Sequence, residues 1–203
     1  MTPERKAKIL RVLNNRQPDL TVILENVHDP HNISAVMRTC DAVGVQEIYV
    51  LNSRIGMHQK FGKRSSASAA GWLTIHQFED TEACMAAVKK SYDRIYATHL
   101  GETAKSLYQL DLTERVALVF GNEHDGITEE TLAHCTGNFI IPQVGMIQSL
   151  NISVACAVSL YEAYRQRELK GMYNESRMPD TKRTELLERW EIAPSNPPPE
   201  EEA

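Results

Sequence analysis

The sequence predicts an α/β domain in which a mostly parallel sheet carries helices on both faces. Three observations lead there. Short Val/Ile-rich runs alternate along the chain with longer segments of helical periodicity, the pattern of successive βα units. The runs are apolar enough to be covered on both sides, as parallel strands are. Polar, glycine-bearing or proline-bearing segments follow strands at 28–32, 98–101, 121–126 and 142–149, at the carboxyl ends where ligands bind in such sheets.

Residues 3–16 read as a helix with a narrow apolar stripe of Ile9, Leu10 and Leu13 beneath basic residues, ended by Pro18. Thr21 to Val27 is a strand, and His28-Asp29-Pro30-His31-Asn32 is the turn after it. Asn32 is placed to cap the next helix, whose apolar face is Ile33, Val36, Met37, Cys40 and Val43. Arg38 projects away from that face, on the side of Ser34 and Asp41. Gly44 closes the helix, and 47–51 is a second strand. Residues 52–71 form a long Gly-, Lys-, Arg- and Ser-rich loop with a short helix at 65–70. A strand at 74–78, a helix at 80–91 and strands at 94–98 and 115–120 follow. After Gly121 to Ile127 comes a helix at 128–135.

The strand Phe139-Ile140-Ile141 is stopped by Pro142 and runs into a flexible loop, then into a helix that is apolar almost all round and continues to about Leu169. Ser149, Asn151 and Ser153 stand at its first turn, able to cap it or to reach a ligand held in the loop. A helix at 181–190 precedes a Pro- and Glu-rich end that is expected to be disordered. The division expected is therefore a basic helical extension at 1–18, the main domain at 19–169, and a carboxyl-terminal extension at 170–203.

The chain has 203 residues, 42% of them hydrophobic and 24% charged, ordinary values for a globular domain large enough to be an enzyme. No apolar run approaches a membrane span of roughly 18 residues, and no signal peptide is visible. Cys40, Cys84, Cys135 and Cys156 lack paired spacing and read as reduced core residues of a cytoplasmic protein. The net charge of −5 conceals two basic clusters. One holds Arg5, Lys6, Lys8, Arg11 and Arg16 against Glu4 alone; the other holds Arg54, Lys60, Lys63 and Arg64. Such patches can dock on phosphates, although solvated surface is the simpler account of charge alone.

No phosphate-binding glycine pattern of the dinucleotide or P-loop kind follows a strand, which removes support for nicotinamide enzymes and nucleotidases. His28 and His31 have turn spacing with no third ligand nearby, so no metal is expected. No serine sits in a nucleophile elbow. Glu123 alone reads as a carboxylate at a helix amino terminus, Arg38 alone as a surface arginine paired with Asp41, and Asn151 alone as a cap. Their joint spacing says more.

Three segments, Asn32-Ile-Ser-Ala-Val-Met-Arg38 through Gly44, Leu118-Val-Phe-Gly-Asn-Glu-His-Asp-Gly-Ile127, and Ile140-Ile-Pro-Gln-Val-Gly-Met-Ile-Gln-Ser-Leu-Asn-Ile-Ser-Val-Ala155, resemble the three motifs of the SPOUT class of RNA methyltransferases. More narrowly, residues 1–175 resemble the TrmH family of tRNA guanosine 2′-O-methyltransferases. The resemblance implies a sheet whose carboxyl-terminal segment forms a trefoil knot, a homodimer, and S-adenosylmethionine held by the knot loops. By position it assigns Thr98, His99, Leu100, Gly121, Asn122, Ile141, Met146, Ser149 and Leu150 to that cofactor, and Asn32, Arg38, Glu123 and Asn151 to catalysis. It makes tRNA the partner and guanosine-18 of the D-loop the expected target. Arg5, Lys6, Lys8, Arg11, Arg54, Lys60, Lys63, Arg64 and Arg165, with Arg167 and Lys170, are the candidate phosphate contacts. Asn122 stands where glutamine is common, and the carboxyl extension is short and acidic. The subgroup acting on ribosomal RNA usually has an amino-terminal RNA-binding domain, for which there is no room before Thr21. Arg38 would either take the hydroxyl proton or stabilise the developing alkoxide while a phosphate or water takes it. Methylation of another RNA nucleotide and a non-catalytic RNA-binding role on the same fold are the alternatives.

Overall fold

A computed structural model of the chain describes residues 2–58, 69–101, 103–122 and 125–190. In chain order its elements are α1 (Pro3–Asn14), β1 (Leu20–Glu25), α2 (Pro30–Val43), β2 (Glu47–Leu51), α3 (Ala69–Trp72), β3 (Thr74–Phe78), α4 (Thr81–Lys89), β4 (Arg94–Thr98), β5 (Lys105–Ser106), a 3₁₀ turn (Leu107–Gln109), β6 (Val116–Phe120), α5 (Glu129–Leu132), β7 (Gly137–Ile140), α6 (Ile152–Leu169) and α7 (Asp180–Arg189). The strands form one sheet in the order β3-β2-β1-β6-β4-β7-β5, and every pairing is parallel. β1 and β6 lie side by side at its centre, in register from Leu20 with Val116 to Leu24 with Phe120.

Both central strands are buried at every position, which is why their sequences are apolar runs rather than alternations. One face of the sheet packs Val22, Leu24, Leu118 and Phe120 against α2 and α6 through Ile33, Val36, Met37, Cys156 and Leu160. The other packs Ile23, Ala117 and Val119 against α4 through Cys84, Met85 and Val88. Each fully buried Leu, Ile, Val or Met contributes about 1.5–3 kcal/mol. A third cluster joins α1 to α7, Ile9 and Leu13 meeting Leu186, Leu187 and Trp190, so the two terminal extensions pack on each other.

Several boundaries differ from the sequence reading. α2 begins at Pro30 and is capped by Asp29, whose side chain accepts from the His31 amide at 2.8 Å. An Asp cap with proline in the first turn is a strong start signal, and it displaces Asn32 from the capping role. The strand expected over 21–27 stops at Glu25, because Asn26 turns into the left-handed region at φ 50°. α5 is a single turn, and α3 begins at Ala69, the earlier part of the helix expected over 65–70 lying outside the described residues. The tail expected to be disordered, from 191, also lies outside them. Gly44 closes α2 as expected, at φ 88°, where a Cβ would sit 2.5 Å from the Asn15 carbonyl oxygen.

Two arginines counted as surface charge are buried. Arg16 is wholly enclosed, pairing with Asp41 at 2.7 Å and donating to the Val45 carbonyl at 3.1 Å, with its guanidinium 5.8 Å from the Trp190 ring. Burial pulls its pKa down and the neighbouring Asp41 opposes that. Arg167 is equally enclosed. It pairs with Asp19 and donates to the carbonyls of Leu112 at 2.9 Å and Glu114 at 2.7 Å. Both are internal clamps and are withdrawn from the phosphate-binding candidates.

Candidate active site

In a parallel sheet all strands point their carboxyl ends to one edge, so the segments after β1, β2, β4, β6 and β7 meet there. Side chains lock them together. Asn26 donates to Ser53 Oγ at 3.3 Å and accepts from the Arg54 amide at 2.9 Å, tying the segment after β1 to the one after β2. His58 Nε2 donates to the Val27 carbonyl at 2.8 Å and adds a second tie. Neither Asn26 nor His58 was anticipated as part of the site, although an asparagine directly after a strand is a turn signal.

The segment after β6 closes on itself. Asn122 and Gly126 form an isolated bridge, the Gly126 amide donates to the Asn122 carbonyl at 3.2 Å, and the Asp125 amide donates to Asn122 Oδ1 at 2.7 Å. A Cβ on Gly121 would lie 2.1 Å from the Gly126 carbonyl oxygen, so only glycine fits there. Glu123, the catalytic candidate of this segment, lies outside the described residues, as do Lys60, Lys63 and Arg64.

Thr98 ends β4 and donates to the Val119 carbonyl at 3.1 Å, with His99 half-buried beyond it and Leu100 83% exposed. Ile141 and Leu150 are half-buried at the two ends of the loop after β7; Met146 and Ser149 between them are exposed. Among the described residues no backbone hydrogen bond ends on residues 143–150. That loop therefore offers a run of unpaired amides and carbonyls beside apolar side chains. Thr98, Leu100, Gly121 and Ile141, at the same edge of the sheet, add no charge. A neutral, partly apolar surface with free backbone groups suits an adenosine better than a phosphate or a metal ion.

Asn151 caps α6. Its Oδ1 accepts from the Ser153 amide at 2.9 Å and from Ser153 Oγ at 2.6 Å, and its Nδ2 donates to Asn32 Oδ1 at 3.2 Å. Two of the catalytic candidates thus touch. Arg38 lies about 1.7 turns further along α2, exposed and without a hydrogen bond or ion pair among the described residues. Asp41, once its possible partner, is taken by Arg16, and Ser34 is buried rather than on the exposed side of the helix.

The basic candidates divide between the two edges of the sheet. Arg54 is exposed just after β2, on the edge of the loops. Arg5, Lys6, Lys8 and Arg11 are exposed on α1, which leads into the amino end of β1. Two clefts lie on that side, of about 300 and 420 Å³, the first lined by Arg11, Asn15 and Gly44 and the second by Arg5, Lys8 and Trp190. Arg165 is exposed but engaged with Glu162 at 2.8 and 2.9 Å. Lys170 is exposed and reaches Thr113 and Asp111.

Residues 19–161 match the SpoU rRNA methylase family. The chain belongs to that family. Within it, a curated relative from Thermus thermophilus, named tRNA (guanosine(18)-2′-O)-methyltransferase, is 43% identical over 189 residues, which cover 93% of this chain and 96% of the relative. The crystal structure of the Aquifex aeolicus TrmH/SpoU tRNA modifying enzyme superposes with a TM-score of 0.84 at 37% identity, covering 92% of this chain and 95% of that one. That of an AdoMet-bound rRNA methyltransferase from Sinorhizobium meliloti matches at TM-score 0.66 and 27% identity over 77% of this chain and 59% of that one. The SpoU match spans all three motifs and the whole sheet, and it ends within α6.

Proposed function

We propose that this SpoU-family chain transfers the methyl group of S-adenosylmethionine to a ribose 2′-hydroxyl of tRNA, at guanosine-18 of the D-loop. One observation carries the reading: Asn32 and Asn151, 119 residues apart, hydrogen-bond beside a loop rich in free backbone groups. The share of sequence held in common with tRNA (guanosine(18)-2′-O)-methyltransferases supports the choice of target.

Bound S-adenosylmethionine supplies an electrophilic methyl on a sulfonium. Thr98, His99, Leu100, Gly121, Asn122, Ile141, Met146, Ser149 and Leu150 hold it, largely by backbone groups and apolar contact. Asn151, fixed by Ser153, sets Asn32, and the pair orients the ribose. A guanidinium is a donor only, so Arg38 stabilises the alkoxide that develops while the proton leaves to an RNA phosphate or to water. Glu123 organises the segment after β6. Arg5, Lys6, Lys8 and Arg11, with Arg54, Lys60, Lys63, Arg64 and Arg165, take the tRNA backbone.

The functional unit in this reading is a homodimer with a knotted carboxyl-terminal segment. What supports the dimer is exposed apolar surface: Val154, Tyr161 and Leu169 along α6, and Val144, Met146 and Ile147 in the loop before it. What supports the threading is that β7 lies between β4 and β5 while the helix after it crosses to pack on α2. Tritiated-methyl transfer to unmodified tRNA, with the product nucleotide mapped, tests the activity. Label on the ribose of guanosine-18 is the expected result. Cofactor binding without transfer would favour an RNA-binding protein, and label on ribosomal RNA alone would overturn the target.

A further inference from the structure

Glu25 closes β1 with its carboxylate wholly buried and, among the described residues, with no cation paired to it. A buried carboxylate without a counter-charge is costly unless several donors satisfy it. Three do: the Thr128 amide at 3.1 Å, Thr128 Oγ1 at 2.6 Å and Thr131 Oγ1 at 2.8 Å. The one-turn helix α5 does not require this, because Thr128 already caps it through the Thr131 amide at 3.2 Å. The carboxylate does something else: it fastens the exit of the segment after β6 to the neighbouring strand.

The start of that segment is fastened to the same strand. Leu24, next to Glu25, is in register with Phe120, the residue before Gly121. Both flanks of the segment are therefore held to β1, and the Asn122–Gly126 bridge and the close approach of Gly121 to Gly126 hold its described residues to each other. We propose that Glu25 is a positioning residue for this segment, setting Gly121 and Asn122 at the height where the methyl donor is bound; this rests on the proposed function. Glu25 touches no reacting atom. It acts through Thr128 and Thr131.

The test compares Glu25→Gln, which keeps the shape but halves the acceptor oxygens, with Thr131→Val, which removes one donor, and Thr131→Ser, which restores it. Leu186→Ala, in the α1/α7 cluster, is the control for a purely structural loss. S-adenosylmethionine affinity is measured by calorimetry, tRNA affinity by filter binding, and stability by thermal unfolding. The expected result is cofactor binding weakened about tenfold or more in Glu25→Gln and Thr131→Val, recovery in Thr131→Ser, and tRNA affinity within about twofold of the parent. Leu186→Ala should lose stability with cofactor affinity intact. If Glu25→Gln does not fold, the Thr131 pair decides. Parent-like cofactor affinity in the folded variants overturns the inference alone, and a parent protein that binds no S-adenosylmethionine overturns the proposed function and this inference together.

Discussion

Asn151 donates its side-chain amide to the Asn32 side-chain oxygen at 3.2 Å, joining the cap of α6 to the first turn of α2. The orientation of the amide is determined by its other partners. Oδ1 takes the Ser153 amide and hydroxyl, both donors, which leaves Nδ2 facing Asn32. One side chain thus has two separable duties, an acceptor for its own helix and a donor to another.

The two duties predict different variants. Asn151→Asp keeps the cap and loses the donor to Asn32, so its melting temperature should stay near that of the parent while methyl transfer falls at least about tenfold. Asn151→Ala loses both and should also cost about 1 kcal/mol of stability. Parallel thermal unfolding and methyl-transfer rates check this. Full activity in Asn151→Asp would remove the Asn32 contact from the mechanism.

Arg38 contributes nothing to folding through polar contacts, being exposed and unpaired among the described residues. Arg38→Ala should therefore unfold within about 0.5 kcal/mol of the parent and bind S-adenosylmethionine normally, yet lose methyl transfer by a factor of about 10² or more. Single-turnover transfer separates the chemical step from binding. Normal turnover in Arg38→Ala would sink the assignment.

Arg165 and Arg167 predict different outcomes from positions two residues apart. Removing Arg167 strips the buried donor from the carbonyls of Leu112, Asp19 and Glu114 and from Gln17 Oε1, and leaves Asp19 with Arg177 alone; Arg167→Met should cost about 3–5 kcal/mol in urea unfolding. Arg165→Met removes an exposed guanidinium from the buried Glu162 carboxylate, which keeps the Gln166 amide as a donor, and should cost about 1 kcal/mol. The slope of tRNA affinity against salt should shrink in that variant alone.

The same pair shows what sequence can and cannot reveal. Positions i and i+2 on a helix are about 200° apart, so periodicity does separate Arg165 from Arg167, but it cannot say that the inward position will find Asp19, 148 residues earlier. The apolar runs of β1, β2 and β6 were legible because burial on both faces leaves little choice of residue. β5 was not, since Lys105 and Ser106 carry no strand pattern, and the 3₁₀ turn after it, closed by a Ser106 to Gln109 capping box, went unread as well. Among the site residues, the motif spacing singled out Asn32 and Asn151, while their contact required the packing of α2 on α6. Glu25 was hidden because a carboxylate at a strand end has no pattern of its own.

Glu47 predicts an acid-sensitive contribution. Desolvation opposes its ionisation, but His76, with Nε2 3.4 Å from the carboxylate, and the paired Lys182 outweigh that and take its pKa down to about 2. A carboxylate depressed on folding stabilises the protein above its unfolded pKa of about 4.3, and the contribution is lost as pH falls toward 2. Discounted for partial solvent access, it is about 1–2 kcal/mol. Urea unfolding at pH 5 and pH 2.5 should show the parent losing that much more than Glu47→Gln over the interval. Equal losses would mean that Lys182 does not secure α7 to the sheet through this residue.

Gly121→Ala tests whether the closed segment after β6 must stay closed. The added Cβ meets the backbone at the Gly126 carbonyl oxygen, 2.1 Å away, and the Ile127 nitrogen, 2.6 Å away, and neither is the end of a side chain that could swing aside. Relief requires Gly126 to move, and with it the bridge to Asn122. Overpacking of this kind costs about 1–3 kcal/mol. The sheet beneath is tied independently through β1 and β6, so the domain should still fold cooperatively, with a lower melting temperature. Cofactor affinity should fall by much more than the tRNA affinity, because the proposed function gives the displaced atoms to the methyl donor and the basic surface of α1 to the tRNA. A Gly121→Ala protein with lowered stability and unchanged S-adenosylmethionine affinity would place the donor site on the loop after β7 alone.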